Sequence, residues 1–440
     1  MKTVDHLNKR ILTPVLDFSK GRVVNILYYA AFCAVYLFRF YYTSMFTVLC
    51  EKPLFLAVPY YAGLLILMGL SGLAVIDAFL NSKREAAILA GILVIGFLSS
   101  YFSGSFDNTL PLCCLIVASR NRDVKPLFLL SVIIGSAFLL SAYYASMNGY
   151  IPYLVYNRGN FGILSHAFGM YYRTHLAAHV FFIIMCYAII RYEKLHLWEY
   201  LMLVFDGWLV WRYTAARTAS ICIFGFLAAL GVSLIIYHIR GKWFSFPKWT
   251  AAVHICCAVL FFSAVAWWAA IGGGTGFGED TETLTARLGY SVKALQDYPM
   301  NLFGHVVEER GAGGIVDNSI PYFVIDSTYM RLLTIGGILL LIVYLYLMTR
   351  ASVKAAQCHV VLSIALAFVA LHSIVEGFGF RLAYNVLIIY SFAHWDESWH
   401  RSHTTSDDPA TSHPSICRKA FSALPPRRPP RTGARDDNTQ

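Results

Sequence analysis

Apolar segments of bilayer-crossing length recur along this 440-residue chain with short polar turns between them. That recurrence leaves few folds open. A helix needs about 20 predominantly apolar residues to cross the hydrocarbon, where its backbone groups can bond only to one another. Twelve segments are read: 23–49, 56–80, 86–102, 109–119, 126–145, 171–190, 200–213, 219–237, 251–271, 332–348, 360–374 and 382–392. With 58% hydrophobic and 14% charged residues and a mean hydropathy of +0.57, the composition lies outside that of soluble domains. The expected class is an all-α polytopic membrane protein with about twelve transmembrane helices. The first apolar run is long enough to span and follows a polar, basic start, so no cleavable signal peptide is read.

The net charge of +10 follows from the turns. Lys83-Arg84, Arg120, Arg122 and Lys125, Arg191 and Lys194, Arg240, Lys242 and Lys248, and Arg350 and Lys354 follow segments two, four, six, eight and ten. The positive-inside bias puts these turns and both termini in the cytoplasm, and no nucleic acid is expected. Cys113-Cys114 and Cys256-Cys257 lie inside apolar runs and read as buried thiols, without metal-ligand spacing or a disulfide framework. Residues 1–397 form the membrane domain. Residues 398–440, with the run PPRRPPR, have too few apolar residues for a core and read as a disordered cytoplasmic tail.

One long polar interval, residues 272–331, separates segments nine and ten, and on this topology it is extracytoplasmic. Leu284, Leu288, Val292 and Leu295 have helical spacing within it, which predicts an amphipathic helix forming the floor or lid of an active site. The glycines 272–274, 276 and 278 lack a following Lys-Ser/Thr and read as a hinge, not a phosphate loop.

Arginines break the charge rule on this outer side: Arg158, Arg173, Arg217, Arg287, Arg310, Arg331 and Arg381. A guanidinium fork suits phosphate and diphosphate, although a single arginine can equally snorkel to lipid phosphates. Arg39 and Asp206 fall inside spans, where ionisable groups are functional candidates; they read either as a structural pair or as ligands. His175 and His179 share one helix face without a third metal ligand; His179 reads as a core histidine. Asp326 reads equally as the N-cap of span ten and as a general base, with His305 in reserve.

At these residues the chain resembles the Wzy-type polysaccharide polymerases of the superfamily that includes the O-antigen ligases. Thr285-Ala286-Arg287-Leu288 followed by Leu302-Phe303-Gly304 is similar to that family's arginine helix and "LFG" pattern. Asp326-Ser327-Thr328-Tyr329 with Gly336-Gly337, Ala216-Arg217-Thr218-Ala219, and Arg158 through Phe161-Gly162 resemble three further elements. Arg173-Thr174-His175 stands where the family often has His-Pro-Asn, Ala216 where Ser is usual, and Asp326 where ligases commonly have His.

The resemblance implies a glycosyltransferase that joins oligosaccharide repeat units carried on undecaprenyl diphosphate at the outer face of a bacterial cytoplasmic membrane. It needs no cofactor and no metal, and a flippase and a chain-length regulator are its expected pathway partners. It implies Arg217, Arg287, Arg158 and Arg173 at the diphosphate, Asp326 or His305 as base, and Tyr329, Tyr290 and Tyr322 against sugars. An O-antigen ligase and a lipid-linked oligosaccharide flippase or secondary transporter are the rival readings.

Overall fold

The computed structural model describes residues 21–158, 163–241, 243–273, 284–311, 313–314 and 322–395. The expected tail, Phe161-Gly162, most of the glycine hinge and the side chain of Arg158 lie outside the described residues.

The chain is mostly helical. Eight of the described helices are long and apolar enough to cross a membrane. They are α1 (Arg22–Tyr41), α2 (Leu54–Asn81), α3 (Lys83–Ser103), α5 (Lys125–Met147), α6 (Arg173–Arg191), α8 (Arg217–Arg240), α9 (Val253–Ala270, after a 3-10 turn) and α12 (Ile338–Cys358). Two more are apolar but shorter: α4 (Thr109–Ala118) and α13 (Val360–Val375). The remaining long helix, α7 (Leu197–Thr214), carries Glu199, Asp206 and Arg212. The amphipathic helix expected in the polar interval is α10 (Leu284–Asp297). A hairpin precedes α6, with β1 (Val155–Arg158) antiparallel to β2 (Ile163–His166).

Segment 382–392, expected as a helix, forms only a 3-10 turn at Leu387–Ser391. The reason lies in its burial: every residue from Leu382 to Ala393 is enclosed by protein. Irregular backbone survives at membrane depth only where protein groups satisfy it, and here they do. Asn385 bonds the Gly379 carbonyl (2.7 Å) and the Leu387 amide (3.2 Å). Arg350 donates to the Ser391 carbonyl at 2.9 Å and Lys354 to the Tyr390 carbonyl at 2.7 Å. α4 runs beside this stretch and is wholly buried, so at roughly 15 Å it needs no bilayer-matched length. Asn108 bonds the Phe380 carbonyl (3.2 Å) at one end of the pair and Ser119 the Ile389 carbonyl (3.3 Å) at the other.

The basic turns gather at one end of the bundle. Arg120 pairs there with Asp77 and Glu85, and Arg191 with Glu199. The Val124 amide bonds the His394 carbonyl, and the Phe246 amide the Ala356 carbonyl. The hairpin, α10 and the segment after it occupy the opposite end, here called the loop end.

At the loop end the two glycine motifs interlock. α11 (Thr328–Arg331) runs into a π turn at Leu332–Gly336, so α12 begins at Ile338, later than the expected 332. The free amides of Ile338 and Leu339 bond the Asn301 and Leu302 carbonyls at 2.9 and 3.2 Å, and the His305 amide bonds the Thr334 carbonyl at 3.0 Å. Gly304 and Gly337 have φ of +87° and +83°, and a Cβ on Gly304 would collide with the Ile335 carbonyl. Only glycine meets both demands.

Candidate functional site

α10 buries Leu288, Tyr290 and Ala294 and packs on α9, which turns Arg287 of its first turn toward the end of α13. The Arg287 guanidinium is divided between two carboxylates. Its Nε lies 3.2 Å from Asp326 Oδ2 and its Nη1 3.2 Å from Glu376 Oε1, while Nη1 also donates to the Val375 carbonyl at 2.7 Å. Hydrogen bonds fix the two carboxylate-bearing segments to each other: Thr328 Oγ1 donates to the Glu376 carbonyl (2.6 Å), Gly379 N to Thr328 Oγ1 (2.9 Å) and Ser327 Oγ to the Ser373 carbonyl (3.2 Å). Ser327 is the N-cap of α11. Asp326 is therefore not that cap; its carboxylate is spent on Arg287.

The two carboxylates differ in access. Asp326 keeps 26% of its side chain exposed and Glu376 only 6%. Burial pushes Asp326 above the usual carboxylate range against the pull of Arg287, and pushes Glu376 up to about 7, again opposed by Arg287. Two like charges around one guanidinium disfavour double ionisation.

Beside this centre lies a cavity of about 230 Å³ into which Arg39, Arg331 and Arg381 all face, with Ser105, Asp107 and Thr109 in its wall. Arg331 grips Glu309 with both arms, Nη1 to Oε1 at 2.6 Å and Nη2 to Oε2, and Glu309 also accepts from the Ile325 amide at 2.9 Å. Burial alone pushes Glu309 up, but Arg331 more than offsets this and holds it below the usual range. Arg39 pairs with Asp107 and not with Asp206, so the reading of Arg39 and Asp206 as a structural pair is corrected. Arg381 lies over the Phe378 ring at 5.8 Å and has no ion pair among the described residues. Asp326 is within electrostatic reach of both Arg331 and Arg381. Guanidiniums outnumber the carboxylates in this cavity wall, and the fork geometry suits phosphate oxygens.

The remaining expected residues divide. Arg173 is buried; it donates to Ser165 of β2 at 2.9 Å, lies over the Tyr172 ring and is within electrostatic reach of Glu376. Arg217 is exposed at the first residue of α8, which packs on α13. Arg158 lies in β1. Tyr290 and Tyr322 stand 5.5 Å apart, and both are within electrostatic reach of Asp326. Tyr329 is fully buried with its hydroxyl on the Ala370 carbonyl at 3.1 Å, so it faces the core and not a ligand. His305 Nε2 lies 2.6 Å from the Pro299 carbonyl; it fastens the Leu302-Phe303-Gly304 turn. His179 is a core histidine, stacked between Phe40 and Tyr384 and bonded to Thr43 at 2.9 Å. His175 bonds the Tyr384 hydroxyl at 2.8 Å.

Sequence reasoning missed Glu376, Glu309 and Asp107. All three are carboxylates at span ends or in loops, where an acidic residue looks ordinary. The signal is charge balance: the arginines of the loop end need counterions, and Asp326 alone does not supply them. Among the described residues no three His, Cys, Asp or Glu side chains are grouped as a metal would require. A second, apolar cavity of about 920 Å³ opens between α5, α6 and α7, with Tyr153, His166, Phe168 and Tyr213 in its wall and Asp206 along its length. No protein-family model, curated protein or solved structure matches the chain.

Proposed function

We propose that this protein is a polysaccharide polymerase, a glycosyltransferase that joins undecaprenyl-diphosphate-linked oligosaccharide repeat units at the outer face of a bacterial cytoplasmic membrane. The observation that carries this reading is the placement of Arg39, Arg331 and Arg381 around one cavity beside the Asp326–Arg287–Glu376 centre. A diphosphate leaving group gains negative charge as its glycosidic bond breaks, and preorganised guanidiniums stabilise that change more than they stabilise the ground state. Asp326, the more exposed carboxylate, takes the proton of the acceptor hydroxyl. The hydroxyl oxygen bonds to the anomeric carbon, and the electron pair of the broken bond leaves on the diphosphate. Tyr322, backed by Tyr290, offers a ring for a sugar. The apolar cavity between α5 and α7 suits the hydrocarbon part of such a substrate.

In this reading the loop end is extracytoplasmic, the basic turns and both termini are cytoplasmic, and the helices together with the buried 382–393 stretch make twelve crossings. A flippase supplies the repeat units, and a chain-length regulator acts on the product. The same geometry serves an O-antigen ligase, which differs in its acceptor. Asp206, a carboxylate inside a span and in the wall of a large cavity, favours a transporter as the second reading, because such groups line translocation paths.

The test is a gel of surface polysaccharide from the native strain lacking this protein, complemented with wild type or Arg381→Ala. Single repeat units without the protein, and a ladder restored by wild type only, support polymerisation. Long chains that are made but not attached to their acceptor indicate the ligase. Repeat units retained on the cytoplasmic face indicate transport.

A further inference from the structure

Arg287 is the only cation that bonds Asp326 among the described residues, yet half of its fork is given to a carboxylate that substrate cannot reach. A residue needed only to neutralise Arg287 would not have to be this deeply enclosed. Glu376 directly follows α13, its backbone carbonyl is bonded by Thr328, and its side chain is 6% exposed. The groups around it come from every packed element. Arg287 on α10 and Asp326 before α11 touch its site, and Arg173 at the start of α6 lies within reach. Cys222 on α8 and Tyr384 on the returning stretch feel its charge. His372, one turn earlier on its own helix, is buried with no bonded partner on either ring nitrogen among the described residues.

We propose that Glu376 is a positioning residue for Asp326: in the reactive form both carboxylates on the Arg287 guanidinium are ionised, and the single proton the pair can take up is either the one that silences the site at lower pH or the one Asp326 receives from the acceptor hydroxyl. Glu376 fixes the Arg287 fork so that its Nε faces Asp326, and its negative charge keeps Asp326 basic enough to accept a hydroxyl proton. When Asp326 takes that proton, Glu376 is relieved of its like-charged neighbour and remains paired with Arg287. The site thus passes through the reaction without two uncompensated negative charges. This rests on Asp326 acting as the base in the polymerase reading. The elevated range in which Glu376 titrates agrees with it.

The experiment uses the full-length protein in lipid nanodiscs, with lipid-linked repeat units extracted from the strain lacking it. Rates are measured against pH for wild type and Glu376→Gln, and infrared difference spectra follow protonated carboxyl absorption over the same range. With Gln at 376, Asp326 faces Arg287 without a rival. The acid limb of the rate profile then moves by about one pH unit or more toward acid, the plateau falls because the base is weaker, and KM stays the same. The neutral-pH carboxyl band of wild type disappears. A merely structural role would scale the whole profile down and leave its limbs in place, which overturns the proposal, as does a carboxyl band that persists in the variant. Glu376→Ala, compared by monodispersity in size-exclusion chromatography, separates misfolding from either result. If wild type transfers nothing at any pH, the polymerase reading fails, and the infrared arm alone still decides whether the pair takes up that proton.

Discussion

Arg287 and Glu376 lie 89 residues apart in the chain, yet their side chains meet at 3.2 Å, with Asp326 on the other edge of the same guanidinium. The contact ties the amphipathic helix of the polar loop to the end of α13. Loop placement and site electrostatics therefore depend on one side chain.

Arg287→Ala leaves the enclosed carboxylate of Glu376 and the partly exposed one of Asp326 without their cation. Breaking a buried pair by removing one partner typically destabilises by about 3–5 kcal/mol, so a thermal midpoint lowered by several degrees is expected together with loss of the polysaccharide ladder. Thermal melting in detergent measures the first and the gel the second. Arg287→Lys should recover stability better than activity, because a point charge cannot serve two carboxylates as a fork does.

Arg381→Ala separates binding from folding, since Arg381 has no ion pair among the described residues to lose. Turnover should fall by about 10²–10³-fold with an unchanged thermal midpoint. Arg331→Ala should lower both, because it strands Glu309. An active Arg381→Ala protein would remove the anion site from this cavity.

Asp326→Asn should reduce turnover by about 10²–10⁴-fold, the usual contribution of a general base. His305→Ala should cost no more than the loosening of its turn. Equal losses from the two variants at equal stability would return the base role to His305.

Stability should vary with pH through Glu376. A carboxyl whose folded pKa is raised binds its proton more tightly in the folded state, so the folded protein is favoured at low pH and loses that advantage as pH rises from the ordinary carboxylate range to about 7. Glu309, held low by Arg331, acts oppositely: its contribution is present at neutral pH and is lost as pH falls through its depressed folded value. The thermal midpoint of wild type should therefore decline from pH 5 toward pH 7, and Glu376→Gln should flatten that slope.

Gly304→Ala and Gly337→Ala each force a side chain into left-handed backbone and into a neighbouring carbonyl or amide. A loss of at least about 1–3 kcal/mol is expected for each, seen as poor recovery of folded protein from membranes. Gly272→Ala, at φ +66° with nothing near its Cβ, should be milder.

Much of this arrangement was legible beforehand. Helical spacing found α10, and the turns holding Lys83, Arg120, Arg191 and Lys354 sorted the two ends. Arg287 and Asp326 were both singled out, though not as partners. Periodicity reports which face is apolar and says nothing of which charge meets which across 89 residues. Tyr329 misled because a tyrosine at a span mouth looks the same whether its ring faces lipid, ligand or core; only its bond to Ala370 decides. The 382–392 stretch misled for a related reason: its hydropathy is that of a span, and the side chains that release it from being a helix belong to α12 and to Asn385.

That stretch also constrains how the protein is made. A translocon releases segments that carry their own backbone bonding, and Leu382–Ala393 takes part of its bonding from outside itself, from Arg350, Lys354 and Ser119 at the end of α4. It can be laid into the hydrocarbon only after those neighbours stand in place. Arg381 heads this stretch, so the arginine-lined wall of the cavity is complete only once the stretch is in place, and a chain cut short after Val375 would leave both a cleft through the bundle and a cavity without Arg381.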